Sequence, residues 1–176
     1  MNRHTALTLM TMGLLSLAVA LPAGNAVAQQ KQRVSYKVSA ENSKYTQQLN
    51  IAAEDLPNHI VRVYEAHRTF PNDAPVINGL KLVEEWDRGA AELTDGNGTG
   101  TQVTGYVMEN GDKFFDRRAV VAQNPSGKFT SAHVGHITGG TGKFAGMQGI
   151  VRASVNIDVK TSVTETQIDI EYWIAK

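Results

Sequence analysis

The sequence predicts an all-β domain from three observations. About eight strands fit a sandwich or an eight-stranded antiparallel β-barrel, and the barrel is our prediction. Apolar and polar residues alternate with a period of two along most of the chain after residue 28, which is typical of half-buried strands. Turn-forming Asn, Gly and Pro separate these segments. No segment after residue 28 has the apolar period of an amphipathic helix. A closed barrel would also leave no unpaired strand edges.

The predicted strands follow one another with short connections. They are expected near residues 34–38, 45–51, 60–70, 80–91, 129–137, 151–159 and 168–174, with a hairpin over 102–121. The alternation is clearest in the segment that runs from Val151 to Val159, where every second residue is apolar. We therefore expect one face of each strand to be buried and the other exposed.

The hairpin over 102–121 has the strongest local signal in the chain. Asn110-Gly111 is a preferred pair for a two-residue type I′ turn, because both central residues of that turn need positive φ. With this turn as the pivot, Val107 is predicted to lie opposite Phe114, and Tyr106 opposite Phe115.

Residues 1–28 have the three parts of a secretory signal peptide. Arg3 gives a basic start, Ala6 to Leu21 is an apolar run, and Ala26-Val27-Ala28 is a small-x-small cleavage site. The apolar run is short for a bilayer span, which needs about 20 residues. The sequence therefore predicts a secreted or periplasmic protein, cleaved near Ala28, without a membrane anchor. Residues 29–176 are predicted to form the single barrel domain.

Charge and cysteine content narrow the function classes. The whole chain has 17 Lys and Arg against 17 Asp and Glu, and such a balance does not fit a nucleic-acid partner or a polybasic membrane-binding surface. The chain has no Cys, so disulfides, thiolate metal sites and a thiol nucleophile are excluded. The domain must be held together by its core.

A glycine-rich stretch from His136 to Gly149 reads HITGGTGKFAGMQG. Its Gly142-Lys143 pair suggests a phosphate loop, but the other positions of that motif are not met, since Ile137 and Phe144 stand where Gly and Ser or Thr are required. No helix-forming segment follows. The stretch instead predicts a tight connection between two strands, with Phe144 packed into the end of the barrel.

The segment from Ile137 to Gly146, followed by Gly149, resembles the TGGTGxFxGAxG segment of plant allene oxide cyclases and dirigent proteins. This resemblance implies a calycin-like, eight-stranded antiparallel barrel with an apolar cavity, often assembled as a trimer. It extends in strand order over residues 32–176, although about a dozen positions carry it. A dimer or trimer is the corresponding expectation for this chain.

A second segment, from Val63 to Arg68, is similar to an early strand of the allene oxide cyclases, in which a Glu and, two residues on, an Asn face the cavity. Glu65 matches the Glu, and His67 stands at the Asn position. The Cys of that family has no counterpart. The resemblance implies Glu65 and His67 as the catalytic candidates.

The alternation alone places Glu65 and His67 on one face of a strand together with Val63. Inside the barrel, a carboxylate beside an imidazole would provide acid–base chemistry; on the outside, it would be an ordinary exposed pair. The candidates for lining a ligand cavity are Val63, Trp86, Tyr106 and Phe115.

Other charged or polar residues give weaker predictions of function. Asp116 and Arg118 share a strand face, as a cross-barrel ion pair or, more commonly, a solvated pair. The loop from Asp95 to Gly100 resembles the start of a calcium loop but lacks its terminal Glu. His133 and His136 point to opposite faces of a strand and have no further zinc ligands. Neither a metal nor a cofactor is predicted.

Three functions remain open from the sequence. The first is an exported barrel that binds a small hydrophobic molecule in its lumen. The second is a cofactor-free cyclase or isomerase that shapes a lipid-like, terpenoid or phenolic substrate in the same cavity. The third is a non-catalytic oligomeric protein that acts through its outer surface.

Overall fold

The structure, a computed structural model, describes residues 30–158 and 163–175. These residues form ten β-strands, which confirms the predicted all-β class: β1 Gln32–Ser39, β2 Ser43–Ala52, β3 His59–Thr69, β4 Val76–Ile77, β5 Leu80–Thr94, β6 Asn97–Met108, β7 Lys113–Gln123, β8 Lys128–Gly140, β9 Met147–Asp158 and β10 Val163–Ile174. The predicted signal peptide, residues 1–28, and Val159 lie outside the described residues.

All the strand pairs are antiparallel and belong to one curled, barrel-like sheet. Its order is β1-β10-β9-β8-β7-β6-β5-β3-β2, and the short β4 pairs with β5. Among the described residues β1 and β2, at the two ends of this order, do not pair with each other. The sheet therefore has a concave inner face that encloses the core and a convex outer face. No helix in the described part of the chain is long and apolar enough to cross a membrane.

Two hairpins have the tight turns that the twist of a β-sheet favours. Asn78-Gly79 joins β4 to β5, and Asp95-Gly96 joins β5 to β6. All four residues have positive φ, between 49° and 77°, as a two-residue type I′ turn requires. The Asp95 loop is thus a turn between two paired strands.

The hairpin at Asn110-Gly111 differs from its prediction by one residue. Met108 N–H donates to the carbonyl of Asp112 at 2.9 Å, so the loop has three residues, and Gly111 with φ of 87° takes the left-handed position of a bulge. Tyr106 consequently lies opposite Phe114 rather than Phe115. The predicted pairs Val107–Phe114 and Tyr106–Phe115 were wrong because the turn is longer than two residues.

The glycine-rich stretch closes one end of the barrel, as its sequence predicts. Strand β8 ends at Gly140, a 3₁₀ turn spans Gly142–Phe144, and β9 begins at Met147. Phe144 is fully buried and its ring packs against Phe114 at 5.3 Å between ring centroids. The burial of a whole aromatic side chain makes this connection part of the core.

The inner face changes character along the barrel. At the closed end, apolar side chains from most strands form one core, including Leu82, Met108, Ile168 and Tyr172. Charged and polar side chains occupy the middle layer, and the far end is open around a cavity. Strand β7 crosses all three zones, since Phe114, Asp116, Arg118, Val120 and Ala122 are all buried on its inner face.

Candidate functional site

The open end of the barrel contains a cavity of about 280 Å³. This volume is close to the lower end of the range for small-molecule sites. Its walls are largely apolar and include Ala66, Leu93, Val120, Ala122, Phe129, Val155 and Ile157. Polar and charged side chains also line it, among them Arg62, Tyr64, Arg68, Asp87, Gln102, Ser131 and His133.

Arg68 connects the cavity with a buried ionic cluster. Its guanidinium Nη1 lies 2.7 Å from Oε1 of Glu85 and also forms an ion pair with Asp87. Tyr36 donates to the other carboxylate oxygen of Glu85 at 3.1 Å. The Arg68 side chain is almost completely enclosed and the two carboxylates are fully so. Buried charges of this kind are tolerated because each is paired.

Asp87 is held by three neighbours at the boundary of the cavity. Its Oδ1 accepts hydrogen bonds from Gln102 Nε2 and Thr104 Oγ1, both at 2.7 Å, while its Oδ2 faces Arg68. Tyr64 donates to Gln102 Oε1 at 2.9 Å and so extends this network into the cavity wall. Since the carboxylate is already occupied by donors, the arrangement is better suited to a fixed polar surface than to proton abstraction from a ligand.

A second buried ion pair lies beside the first. Arg118 reaches Asp116 through two nitrogen atoms, with distances of 2.8 to 3.0 Å, and Tyr106 donates to Asp116 Oδ2 at 2.7 Å. Arg118 also contacts the Tyr106 hydroxyl. Arg118 and Asp116 are 2% and 0% exposed, so the expectation of a solvated pair is not met. The pair lies inside the barrel, as the other alternative expects, but it joins two residues of the same strand rather than crossing the barrel.

The middle layer carries more negative than positive groups. Three carboxyl groups, Glu85, Asp87 and Asp116, share it with the two guanidinium groups of Arg68 and Arg118. Burial raises the pKa of Glu85 to about 7, with Asp87 adding to the rise and Arg68 opposing it. Burial also raises the pKa of Asp116, against the opposing effect of Arg118. Burial therefore favours the protonated form of both Glu85 and Asp116 relative to the same groups in water.

His133 approaches the same cavity from β8. Its Nε2 lies 2.8 Å from the hydroxyl oxygen of Ser131. Burial, reinforced by the positive charge of Arg118, lowers the pKa of His133 to about 4. The imidazole is thus neutral at neutral pH. His136, in contrast, is exposed on the outer face, as the strand period predicts.

Glu65 and His67 lie on the outer face of β3, away from the cavity. Glu65 forms an ion pair with Arg88 at 2.8 Å, and a hydrogen bond from Thr46 is the main cause of its lowered pKa. The ring of His67 stacks on Trp86 with 3.9 Å between centroids. Of the two orientations that the sequence leaves open, the outer one is found, because the side chains that line the cavity from β3 are Arg62, Tyr64, Ala66 and Arg68.

Of the four residues predicted to line the cavity, three lie on the outer face of the sheet and one faces inward. Val63 and Phe115 are 48% and 37% exposed on the outer face, and Trp86 lies there with His67. Tyr106 faces inward and is completely buried, but it belongs to the layer beneath the cavity. The residues that the sequence interpretation missed at this site are Tyr64, Arg68, Asp87, Gln102 and His133.

Within residues 30–158 and 163–175, no three or more His, Asp or Glu side chains come together in a way that could hold a metal ion.

The opposite pKa shifts of Glu85 and His133 predict compensating effects of pH on stability. A carboxyl group with a raised pKa in the folded state stabilises most below its unfolded value of 4.5, and this contribution is lost as pH rises towards 7. A His with a lowered pKa destabilises below pH 4, and this penalty disappears as pH rises towards 6.5. The two shifts, from 4.5 to about 7 and from 6.5 to about 4, each correspond to about 3 kcal/mol.

We therefore expect Glu85→Gln, relative to the unmodified protein, to gain about 3 kcal/mol of unfolding free energy between pH 4.5 and 7. His133→Phe should show the reverse trend between pH 4 and 6.5. Urea unfolding across this range measures both, with His136→Phe as the exposed control in the same strand. Identical pH profiles for all four proteins would contradict the assigned shifts.

The described residues form a barrel-like antiparallel domain with a cavity above a buried ionic layer. Two solved structures have a similar fold. The pterocarpan synthase dirigent protein PsPTS1 has a TM-score of 0.50 and 14% identity to this chain, covering 84% of it and 97% of PsPTS1. The pterocarpan synthase dirigent protein GePTS1 has the same score and identity, covering 90% of this chain and 100% of its own.

These likenesses establish a dirigent-like barrel fold and support that part of the predicted resemblance. At 14% identity they describe architecture alone, because one fold serves many functions. A relationship to the allene oxide cyclases in particular is not shown. No protein-family model matches the sequence, and no curated protein matches it.

Proposed function

We propose that this chain is an exported barrel protein that binds a small, mainly apolar molecule in the cavity at its open end. The observation that carries the proposal is the cavity itself: about 280 Å³, walled by aliphatic and aromatic side chains and bounded below by fixed polar groups. Apolar walls supply the free energy of binding, and a few polar groups orient the ligand. The N-terminal pattern at residues 1–28 supports export.

The middle layer suits a binding protein because it is rigid. Each charged group in it has a charged partner, and several have a further hydrogen bond. Such a network keeps the lower boundary of the cavity in one arrangement before the ligand arrives, which reduces the entropy lost on binding. The cyclase alternative has less support, because its acid–base pair, Glu65 and His67, does not face the cavity.

Filling the cavity with a larger side chain should weaken ligand binding without unfolding the barrel. Ala122 lines the cavity and is 4% exposed, whereas its neighbour Val121 is 52% exposed on the outer face. We expect Ala122→Phe to weaken binding of the neutral fluorophore N-phenyl-1-naphthylamine at least about tenfold, because the added ring occupies the ligand's space. Fluorescence titration measures the affinity.

Val121→Phe is the matched control, since it adds the same ring to the opposite face of the same strand. Its affinity for the fluorophore should stay within about twofold of the unmodified protein. If the fluorophore does not bind, or if both variants bind it equally well, the cavity is not the binding site.

A further inference from the structure

Two buried polar atoms beside the cavity lack a hydrogen-bond partner within the described residues. They are Nε of Arg68 and Nδ1 of His133. Each residue is only 9% exposed, and both side chains line the cavity. Buried polar atoms in folded proteins are almost always paired. His67 Nε2 and Asn124 Oδ1 also lack a partner but belong to residues outside this lining, whereas Arg68 and His133 line one cavity and can share one explanation.

The guanidinium of Arg68 determines which kind of ligand atom can pair with it. Its Nη1 is engaged by the carboxylates of Glu85 and Asp87, which leaves the N–H groups of Nη2 and the buried Nε–H as donors, and Nε is the one without access to solvent. A guanidinium has no acceptor atom. A ligand group that satisfies Nε must therefore offer a lone pair, and in a small organic molecule this is most readily an oxygen.

His133 offers one further hydrogen bond with either orientation of the Ser131 hydroxyl. If that hydroxyl donates to Nε2, which lies 2.8 Å away, then Nδ1 carries a proton and is a donor. If Nε2 donates to Ser131, Nδ1 is an acceptor. A carbonyl oxygen fits the first arrangement, and a hydroxyl fits either one.

The charge of the middle layer selects against an anionic ligand group at this depth. Three carboxyl groups stand against two guanidinium groups, so the layer has no surplus positive charge to offset the desolvation of a further anion. Arg62 and Lys44 also line the cavity and could attract an anion, but Lys44 is exposed and Arg62 is half-buried, so solvent screens their charges.

We propose that the inner end of the cavity binds an uncharged oxygen of the ligand, a carbonyl or hydroxyl group, through Arg68 Nε and His133 Nδ1. This inference rests on the proposed binding function and specifies its ligand class: neutral, oxygen-bearing apolar molecules. Apolar acids that carry a carboxylate are excluded from the inner end.

Three naphthalene compounds of similar shape separate these possibilities. 2-Acetonaphthone carries a neutral carbonyl, naphthalene carries no oxygen, and 2-naphthoate carries a negative charge. We expect 2-acetonaphthone to displace N-phenyl-1-naphthylamine from the protein at pH 7.5 at about one tenth of the concentration that naphthalene or 2-naphthoate requires.

His133→Phe tests the assignment of the inner site. It keeps an aromatic ring but removes both nitrogen atoms, so the ratio of the affinities for 2-acetonaphthone and naphthalene, measured on the same variant, should fall below about threefold. His136→Phe makes the same replacement on the outer face of β8 and should keep the tenfold advantage.

Equal affinities for 2-acetonaphthone and naphthalene, tighter binding of 2-naphthoate, or an unchanged preference in His133→Phe would overturn the inference. If naphthalene still binds and Ala122→Phe still blocks it, the proposed binding function survives that result. If none of the three compounds binds, both proposals fail.

Discussion

Replacing Arg118 by methionine should destabilise the protein by about 3–5 kcal/mol, because it leaves a carboxylate buried without its counter-charge. Asp116 is 0% exposed, and its main partner is the Arg118 guanidinium, with the Tyr106 hydroxyl as a second donor. Methionine fills much of the same space, so the loss would come mainly from the uncompensated charge rather than from a void. Urea unfolding at pH 7.5 measures the change.

The double variant Arg118→Met with Asp116→Asn separates the two causes. The amide oxygen of the new Asn can still accept from Tyr106, and neither charge of this pair remains. We expect the double variant to recover at least half of the loss, since removing both charges of a buried pair is far less costly than removing one. A double variant as unstable as Arg118→Met would show that the arginine acts through packing instead.

The strand pattern was informative for fold class because it depends on burial, which the curled sheet enforces along each strand. Burial alternates with a period of two in β7, where every second side chain from Phe114 to Ala122 is buried. The same period contained a signal for the buried ion pair. Asp116 and Arg118 share a strand face with Phe114, Val120 and Ala122. Because these neighbours are apolar, the face is expected to point into the barrel rather than to solvent.

The inward face of β3 was harder to assign, because both of its faces carry apolar residues. Val61 and Val63 are apolar but 39% and 48% exposed, whereas the opposite face contains the buried Ala66 and Arg68. An arginine in the middle of an inner face goes against the usual preference of charged residues for solvent. It becomes favourable only with Glu85 and Asp87 beside it, which are contributed by β5 and cannot be located from β3 alone.

An irregularity in β5 explains why Trp86 was assigned to the cavity. The register with β6 shifts between Leu82 and Glu84, so an inward Leu82 is followed by an inward Glu85 rather than Glu84. Regular alternation from Leu82 would place Trp86 inside, and the extra residue moves it to the outer face. Since a bulge has no reliable sequence signature, its effect on the site could not be foreseen.

Replacing Phe144 by alanine should cost about 3–5 kcal/mol of unfolding free energy, which is the usual range for removing a fully buried phenylalanine. Phe144 is 0% exposed and closes the barrel between the glycine-rich turn and Phe114, which itself stacks on Tyr106 with 4.0 Å between centroids. The turn also joins the neighbouring hairpin, where Lys143 N–H donates to Asp112 at 3.0 Å. This hydrogen bond holds the turn in place and limits how far the surrounding structure can collapse into the void left by Phe144.

Phe115→Ala is the matched control on the outer face of β7. Phe115 is 37% exposed, so we expect its loss to be no more than about half of that for Phe144→Ala. Equal losses would mean that the closed end relaxes to fill the void. If, as expected, Phe144→Ala is destabilised but still folded, it should retain its affinity for N-phenyl-1-naphthylamine at low temperature, because the charged layer separates the closed end from the cavity. A loss of stability without a loss of affinity would show that the closed apolar end stabilises the fold, while the open end alone binds the fluorophore.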